Sequence, residues 1–336
     1  MVGARRCARV RRFCDVELVV CALSWGRIID GTHGDRAVAR VNTVQSITVL
    51  LNPRAGGQDA EAIERVATAF RQAGVTDVDV RAVPGALVRT VAGEAIARRA
   101  AMVVAGGGDG TISAAASALV GSDTTLGILP LGTLNHFAKD VGTPLDLDGA
   151  VNAIVRGRSV AVDVGEVNGR PFINNASIGM YASLIAERDA MQRIGRRKWF
   201  AHGLAASRVW GRYHRLHVHL HAEGRERAVR TPFVFIGNNL YQLSGLELGG
   251  RKTLADGRLH VCMAPGMTRG GVARMIVTAL FGDIRQLEGF ESFTASELML
   301  DGGARRLRVS LDGEVITLDN PLEFRSRPGA LRVMVP

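Results

Sequence analysis

The chain has 336 residues and a formal net charge of +10, with 47% hydrophobic and 22% charged residues, an ordinary globular composition long enough for two domains. No uncharged apolar run reaches the roughly 18 to 20 residues of a membrane-spanning helix, so we expect no integral membrane protein. Three of the four cysteines lie in the first 21 residues and Cys262 stands alone. This distribution excludes a disulfide framework and favours a reducing cytoplasm.

Residues 1–44 share no pattern with the rest of the chain. They contain eight arginines, and the stretch from Phe13 to Trp25 has the length of a signal-peptide core. Asp15 and Glu17 interrupt that stretch, which argues against a signal peptide. We expect a disordered tail or a start site assigned too far upstream.

From about residue 46 to 157, short apolar strands alternate with helical runs. This order predicts a parallel sheet covered by helices on both faces. The first strand, 47–51, precedes a helix whose apolar residues have helical spacing. The loop between them contains Asn52, Pro53, Arg54, Ala55 and Gly56.

The second loop is the most informative stretch. It follows the apolar run 101–105 and leads into a helix that begins near Ile112 and Ser113. It consists of Gly106, Gly107, Gly108, Asp109, Gly110 and Thr111. A glycine turn before a helix N-terminus gathers backbone amides and partial positive charge, which suits a phosphate. A carboxylate there makes sense if a divalent cation accompanies the phosphate. The alternative is a glycine-rich turn without a ligand, and the lysine of a P-loop is absent.

A third loop, 130–140, follows the strand 126–129 and supplies Gly132, Thr133 and Asn135. The carboxyl ends of parallel strands share one edge of a sheet, where ligands bind. We therefore expect the three loops to meet at one site.

From residue 158 the pattern changes to antiparallel strands with inserted helices near 181–194, 199–210 and 268–281. Asn168-Gly169 between two strand-like runs is the strongest short hairpin signal in the chain. Further strands are predicted around 213–221, 233–236, 259–263, 298–300, 307–311 and 315–318. We expect the active site in the cleft between the two halves.

Residues 193–215 combine seven basic residues with interleaved aromatics and contain no acid. Anionic lipid headgroups or nucleic acid would attract such a segment, and a solvated basic face is an equal alternative. Nearby, His217, His219 and His221 alternate along one strand. Three imidazoles could bind zinc, but no fourth ligand is near in sequence, so a half-exposed strand face is favoured.

Taken in order, the loops N-P-x-x-G, G-G-D-G-T and P-x-G-T-x-N-x-F-A resemble the bacterial diacylglycerol kinase and lipid kinase family, relatives of the sphingosine kinases. The resemblance covers about residues 45–336, because Asn238-Asn239, Asp256-Gly257 and Asp312-Gly313-Glu314 fit as well. It implies an α/β N-terminal domain with a parallel sheet like that of NAD kinases and diacylglycerol kinases, at 45–157. It also implies an antiparallel β-rich lipid-substrate domain at 158–324, with 325–336 returning to the first domain.

The resemblance implies ATP-dependent phosphorylation of a diacylglycerol-like or sphingoid lipid with Mg²⁺, in the cytoplasm at the inner membrane face. ATP would bind the three loops and the first helical residues after the second loop, Ile112 and Ser113, and Asp109 would hold Mg²⁺. In this family the acids of the D-G-E unit activate the hydroxyl, here Asp312 and Glu314, although Asp-Gly is also a common hairpin turn. A second, structural Mg²⁺ would bind Asp256 and the carbonyls of Thr253 and Arg258.

One position departs from the family pattern, because His136 stands where many relatives carry an aspartate of the Mg²⁺ network. Neutral imidazole is a poor Mg²⁺ ligand, which favours a nucleotide-binding regulatory protein as one alternative. An NAD kinase is another, although its second glycine loop is missing. Nucleic acid is not an expected partner, because the basic charge is local and no recognition motif accompanies it. A homodimer is left open.

Overall fold

The computed structural model describes residues 46–53, 60–180, 215–242, 250–272, 274 and 289–336. The predicted tail at 1–44, the helices at 181–194 and 199–210, and most of the helix at 268–281 lie outside this part of the chain. So do residues 193–214 of the basic aromatic segment. All described residues belong to one compact unit.

The first half forms a parallel sheet with helices on both faces. Its strands follow the order β2-β1-β3-β4, and each neighbouring pair is parallel. The elements are β1 (Ile47–Leu51), α1 (Ala60–Gln72), β2 (Val78–Ala82), a short 3-10 helix (Gly85–Leu87), α2 (Val88–Ala97), β3 (Met102–Gly107), α3 (Asp109–Leu119), β4 (Thr125–Pro130), α4 (His136–Asp140) and α5 (Leu147–Arg156).

The central strands are apolar along their whole length because helices cover both sides. Leu50 and Val103 pack on the face that carries α2 and α3. Val49 and Val104 point the other way, towards α1 and α5. The α/β architecture predicted for this half is therefore confirmed.

The strand register places the three predicted loops at one edge of this sheet. Leu51 at the end of β1 pairs with Gly106 of β3, and Gly107 pairs with Pro130 at the end of β4. The loops that follow these strands consequently begin side by side.

The second half adds a six-stranded sheet and extends the first one. Its strands are β5 (Arg158–Val167), β6 (Arg170–Phe172), β7 (Asn175–Gly179), β8 (Leu216–Ala222), β9 (Arg225–Thr231), β10 (Phe233–Asn238), β11 (Leu259–Met263), β12 (Glu291–Ala295), β13 (Glu297–Asp301), β14 (Arg306–Leu311), β15 (Glu314–Asp319) and β16 (Leu322–Val335). The six-stranded sheet has the order β12-β11-β10-β7-β14-β15 and is antiparallel throughout. It packs on the extension of the first sheet through one apolar cluster, which confirms the predicted second architecture.

The long strand β16 joins the two halves. Val333 pairs in parallel with Leu126 of β4, whereas Leu322 pairs in antiparallel fashion with Leu300 of β13. A register shift between Arg327 and Leu331 interrupts its ladder with β5. The sheet is thus continuous across the predicted boundary at residue 157, and the domain division stays a prediction.

Two Asx-Gly pairs form tight hairpin turns. Asn168 and Gly169 join β5 to β6 with φ values of 45° and 75°, and Asp312 and Gly313 join β14 to β15 with 47° and 87°. Two successive positive φ angles are typical of a type I′ turn, which favours Asn or Asp followed by Gly. The hairpin predicted at residue 168 is present, and the D-G-E unit is a turn as well.

The histidines of β8 lie on a partly exposed strand face. His217 and His219 are exposed, and His221 Nε2 lies 3.5 Å from Glu226 Oε1 on β9. Within the described ranges, no group of three or more His, Cys, Asp or Glu side chains is arranged to hold a metal ion. The partly exposed strand face predicted for these histidines is therefore present.

Candidate active site

The first and second loops are joined by Asn52. Its backbone N–H donates to Gly106 O at 2.8 Å, and its side-chain Nδ2 donates to Thr111 Oγ1 at 2.8 Å. Pro53 follows at the end of the described segment, and Arg54, Ala55 and Gly56 lie outside it. Asn52 therefore ties the end of β1 to the first turn of α3.

Glycine is required at one position in each of the second and third loops, because a side chain there would collide with neighbouring atoms. A Cβ atom on Gly107 would lie 2.5 Å from Thr111 Oγ1, and one on Gly132 would lie 2.5 Å from Gly108 Cα. A Cβ on Gly110 would meet nothing within 4 Å. The N-terminus of α3 is therefore bordered by bare backbone, the arrangement that suits an anion.

The side chains of Ile112 and Ser113 lie on different sides of α3. The Ile112 side chain is wholly buried in the core, and its N–H donates to Gly108 O at 3.1 Å. Ile112, predicted as an ATP contact, thus presents neither its side chain nor its amide to a ligand. Ser113, one residue later, faces the second half of the chain.

Asp109 is the first residue of α3, where the helix dipole favours a negative charge. Its Oδ1 accepts a long hydrogen bond of 3.4 Å from Phe137 N. In the described part of the chain, no group donates to its Oδ2. The Asp109 carboxylate thus lies at the edge where the three loops begin, and within the described chain its Oδ2 is open to a further ligand.

The third loop is shaped by Asn135, which adopts a left-handed conformation with φ of 52°. Its Oδ1 accepts from Gly132 N at 3.1 Å, and its Nδ2 donates to Gly132 O at 2.9 Å. The Asn135 side chain thus binds the backbone of Gly132 within the same loop, and its role is to stabilise the loop conformation. Thr133 and His136 on either side are exposed.

Asp312 reaches this edge from the β14–β15 turn. Its Oδ2 accepts from Ser113 Oγ at 2.5 Å and from Ile173 N at 2.9 Å. Its Oδ1 accepts from Asn174 N at 2.8 Å and from Asn175 N at 3.0 Å. Burial raises the pKa of this carboxyl above its ordinary value, and the bonds from Ser113 and the three amides oppose the rise.

Glu314 takes a different position. It is the first residue of β15 and is exposed, and its strand partner is Leu311. The sequence left the choice between the two acids of the D-G-E unit open. The geometry brings Asp312, and not Glu314, into contact with α3.

The Asp256 carboxylate is hydrogen-bonded by one side-chain amide and two backbone amides of the protein itself. Asp256 Oδ1 accepts from Asn239 Nδ2 at 2.7 Å and from Arg258 N at 3.1 Å, and its Oδ2 accepts from Leu240 N at 3.3 Å. The Arg258 carbonyl accepts from Asn239 N at 3.0 Å. Both Asp256 oxygens are thus in use, and the metal predicted at Asp256, Thr253 and Arg258 stays a prediction.

Asp163 is a site-organising residue that the sequence analysis did not single out. It is buried, and its Oδ2 accepts from Gly257 N at 2.6 Å and Asn239 Nδ2 at 2.8 Å, while its Oδ1 accepts from Gly329 N at 2.9 Å. An acid between two valines, Val162 and Val164, was the available signal. Arg251 and Asp140 were also missed, because nothing in sequence marks them as partners.

Two families match successive parts of the chain. The diacylglycerol kinase catalytic domain matches residues 46–167, and the YegS C-terminal NAD kinase beta sandwich-like domain matches residues 175–335. A protein of Pseudomonas savastanoi pv. phaseolicola named "Probable lipid kinase YegS-like" is 33% identical over 257 residues, covering 74% of this chain and 80% of that protein. The chain belongs to the YegS-like lipid kinase family.

A second YegS-like lipid kinase relative, from Klebsiella pneumoniae, is 29% identical and covers 88% of this chain and 98% of its own. Among solved structures, a diacylglycerol kinase from Bacillus anthracis str. Sterne superposes with a TM-score of 0.64 at 18% identity, covering 87% of this chain and 97% of that one. That similarity shows the fold. The resemblance drawn from the three loops is therefore confirmed.

As a member of the YegS-like lipid kinase family, the chain is a kinase, and the family implies ATP as the phosphoryl donor. The three loops lie in the region that matches the catalytic domain, and Asp312 lies in the C-terminal one. None of the helices in the described ranges has both the length and the apolar character needed to cross a bilayer.

Proposed function

We propose that this chain transfers the γ-phosphoryl group of ATP to a hydroxyl of a diacylglycerol-like or sphingoid lipid at the membrane surface. The observation that carries the proposal is the contact between Asp312 and Ser113, one helical turn from Asp109. Phosphoryl transfer needs positioning, neutralisation of charge and a group that orients or deprotonates the acceptor hydroxyl. These three requirements have candidate residues at one edge of the sheet.

The nucleotide phosphates would lie on the backbone of the second loop, between Gly107 and Thr111. Gly132 and Asn135 shape the neighbouring loop, and Thr133 offers an exposed hydroxyl. The close backbone approach of the two loops supports this assignment, because it leaves bare backbone here: a side chain at Gly132 would collide with Gly108. Asn52 would hold Thr111 in place through its 2.8 Å hydrogen bond.

Mg²⁺ fits the donor set of this edge. The ion usually keeps several waters and takes one or two carboxylates plus substrate phosphates, so a preformed three-ligand cluster is not needed. Asp109 would hold it, directly or through water, and when bound it would neutralise charge on the phosphates. Among the described residues, its Oδ1 is engaged only by Phe137 N, at 3.4 Å.

Asp312 is the proposed base. Burial raises the pKa of this carboxyl, which makes it a better proton acceptor than an exposed aspartate. The lipid hydroxyl would give its proton to Asp312 Oδ2 as its oxygen bonds to the γ-phosphorus, and the bond from that phosphorus to the bridging oxygen of ADP would break. Ser113 Oγ, 2.5 Å from Oδ2, marks where a hydroxyl can donate.

Docking on anionic membranes through residues 193–215 is part of the same proposal. Each basic residue near such a surface contributes about 1 kcal/mol of attraction. The support is the sequence of the segment alone, since residues 193–214 lie outside the described chain.

The test is transfer of radiolabelled phosphate from ATP to a panel of purified lipids that includes diacylglycerols, sphingoid bases and a lipid without a hydroxyl. We expect a labelled phospholipid from one hydroxyl-bearing class, and none from the lipid without a hydroxyl. Binding of ATP with no labelled lipid, in the presence of Mg²⁺ and anionic vesicles, would contradict the proposal.

A further inference from the structure

The segment Ile173–Asn175 determines where the Asp312 carboxylate lies. All three of its backbone N–H groups donate to that carboxylate, at 2.9, 2.8 and 3.0 Å. In return, Asp312 N donates to Asn175 O at 2.9 Å. Amides that donate to a carboxylate stabilise its charged form. The position of this segment therefore controls both the location and the proton affinity of Asp312.

Arg251 holds the opposite edge of the same segment. Its side chain is wholly buried, its Nη1 donates to Ile173 O at 2.7 Å and its Nη2 donates to Asn174 Oδ1 at 3.0 Å. The Tyr241 hydroxyl adds a bond of 3.0 Å to Asn174 O. Burial raises the pKa of Tyr241 to about 12, so the phenol keeps its proton and remains a donor.

The guanidinium of Arg251 also binds the element that follows the third phosphate loop. Its Nε and Nη2 donate to Asp140 Oδ2 at 2.9 and 2.7 Å, and Asp140 is the last residue of α4. The guanidinium carbon lies 5.7 Å from the centre of the Phe137 ring. Phe137 belongs to the same helix, and its N–H donates to Asp109.

These contacts form a closed circuit through both halves of the chain. Asp109 and Ser113 lie on α3, Ser113 binds Asp312, and Asp312 binds the segment 173–175. Arg251 connects that segment to α4, which returns to Asp109 through Phe137. Displacement of α4 would therefore be transmitted to the amides around Asp312.

On the basis of the proposed function, we propose that Arg251 is a positioning residue that keeps the base Asp312 aligned with the third phosphate loop. It touches neither nucleotide nor lipid in this assignment and acts through 173–175. A planar guanidinium can serve a carboxylate, a carbonyl and an amide oxygen at once, whereas a lysine ammonium is a single compact donor group. Arginine is thus required for its shape as well as its charge.

The test variant is Arg251→Lys, which keeps the positive charge beside Asp140 but cannot span all three acceptors. We expect kcat to fall by at least about 10-fold, since small misplacements are costly in catalysis, with KM for ATP within about threefold of wild type. The matched control is Arg325→Lys. Arg325 forms an ion pair with another buried acid, Glu166, in the β5–β16 ladder. The control should lower the melting temperature and leave kcat unchanged.

A second readout does not need turnover. The pKa of Asp312, followed by carboxyl ¹³C NMR with Asp312→Asn for assignment, should rise by about one unit in Arg251→Lys, because the amide bonds to the charged form weaken. It should stay unchanged in Arg325→Lys. The acid limb of the kcat profile should move in the same direction. If Arg251→Lys does not fold, Tyr241→Phe, which removes one bond to the same segment, should give smaller changes of the same sign.

A folded Arg251→Lys that melts early but keeps the wild-type kcat and the wild-type Asp312 pKa would overturn the inference and leave a purely structural role. Failure of the proposed function looks different. In that case the wild-type protein phosphorylates no lipid, while the NMR titration still shows whether Arg251 controls Asp312.

Discussion

The hydroxyl of Ser113 and the carboxylate of Asp312 lie 2.5 Å apart although 199 positions separate them in sequence. Ser113 belongs to the helix that begins with Asp109, and Asp312 belongs to a turn of the six-stranded sheet. The contact makes α3 a shared element of the edge where the three loops begin and of the second half of the chain. The predictions on Asp109 and Asp312 test this arrangement from both ends.

Replacing Asp109 with Asn should lower kcat by at least about 100-fold, because it removes the charge proposed to hold Mg²⁺ against the phosphates. The matched control is Asp148→Asn, another acid in the first turn of a helix. Both variants should lose a similar, small helix-dipole stabilisation of about 0.3 to 1 kcal/mol. The measurement is steady-state kinetics at saturating Mg²⁺. A kcat of Asp109→Asn close to the wild-type value would contradict the proposed role of Asp109.

Replacing Asp312 with Asn should lower kcat by about 10² to 10⁴-fold, the usual contribution of a general base. Asn tolerates the φ of 47° at this position, so the turn should survive. Glu314→Gln, two residues away and exposed, should keep kcat within about twofold. If the Asp312 variant only lowers the melting temperature and keeps kcat, the D-G-E unit is a turn and the base lies elsewhere.

His136 should influence the Mg²⁺ requirement, because the residue after it, Phe137, donates its N–H to Asp109. His136→Asp adds a carboxylate at the start of α4 and should lower the Mg²⁺ concentration for half-maximal activity by about threefold or more. His136→Asn adds no charge and serves as the control. Identical Mg²⁺ titrations of the two variants would show that position 136 takes no part in metal binding.

His260 should make stability depend on pH. It is buried in β11, where its Nδ1 accepts from Tyr241 N at 3.2 Å, and burial lowers its pKa to about 4. In the unfolded chain His260 takes up a proton near pH 6.5, whereas in the folded chain it does so only near pH 4. The contribution of neutral His260 to the free energy of unfolding is therefore complete above about pH 6.5. It is lost as the pH falls towards 4, and the loss is about 3 kcal/mol at most.

Urea unfolding at several pH values between 4 and 8 measures this loss. His260→Gln should flatten the profile in that window, and His219→Gln, an exposed residue, should not. An unchanged profile in His260→Gln would assign the acid sensitivity to other groups.

The basic aromatic segment should dock the protein on anionic vesicles. Sedimentation with phosphatidylserine-containing vesicles should weaken with salt and be lost when Arg196, Arg197 and Lys198 become Glu. The control variant makes the same change in net charge at other places on the surface. It replaces three exposed arginines, Arg89, Arg98 and Arg305, with Glu. Equal loss of binding in both triple variants would indicate an effect of net charge rather than of this segment.

The sequence predicted what depends on local signals and missed what depends on long-range contacts. The strand–glycine–helix order of residues 101–113 identified the turn between β3 and α3, because a side chain at Gly107 would collide with Thr111 there. The edge strands β2 and β9 were not predicted, since β9 reads Arg-Glu-Arg-Ala-Val-Arg-Thr and few of its side chains are buried. Edge strands often carry such charges, which hide the alternating pattern.

The choice between the two acids of the D-G-E unit also required the folded structure. Asp312 and Glu314 are equivalent in the linear motif, and only the packing of the turn against α3 separates them. Arg251 and Asp140 are 111 positions apart, and Asp163 and Gly257 are 94 apart. No periodicity connects residues at such distances, so these pairs are visible only once the chain is folded.

The pairing of β16 with β4 has a consequence for biosynthesis. β4 pairs with β3 on one side and with β16 on the other, and β16 follows every other strand in the chain. Until the ribosome has released Leu322–Val335, β4 is an unprotected sheet edge beside the Gly132 loop. Such distant pairing slows folding and exposes the nascent chain to aggregation. We therefore expect the N-terminal α/β half, produced without β16, to require a chaperone even though β1 to β4 lie next to one another in the sheet.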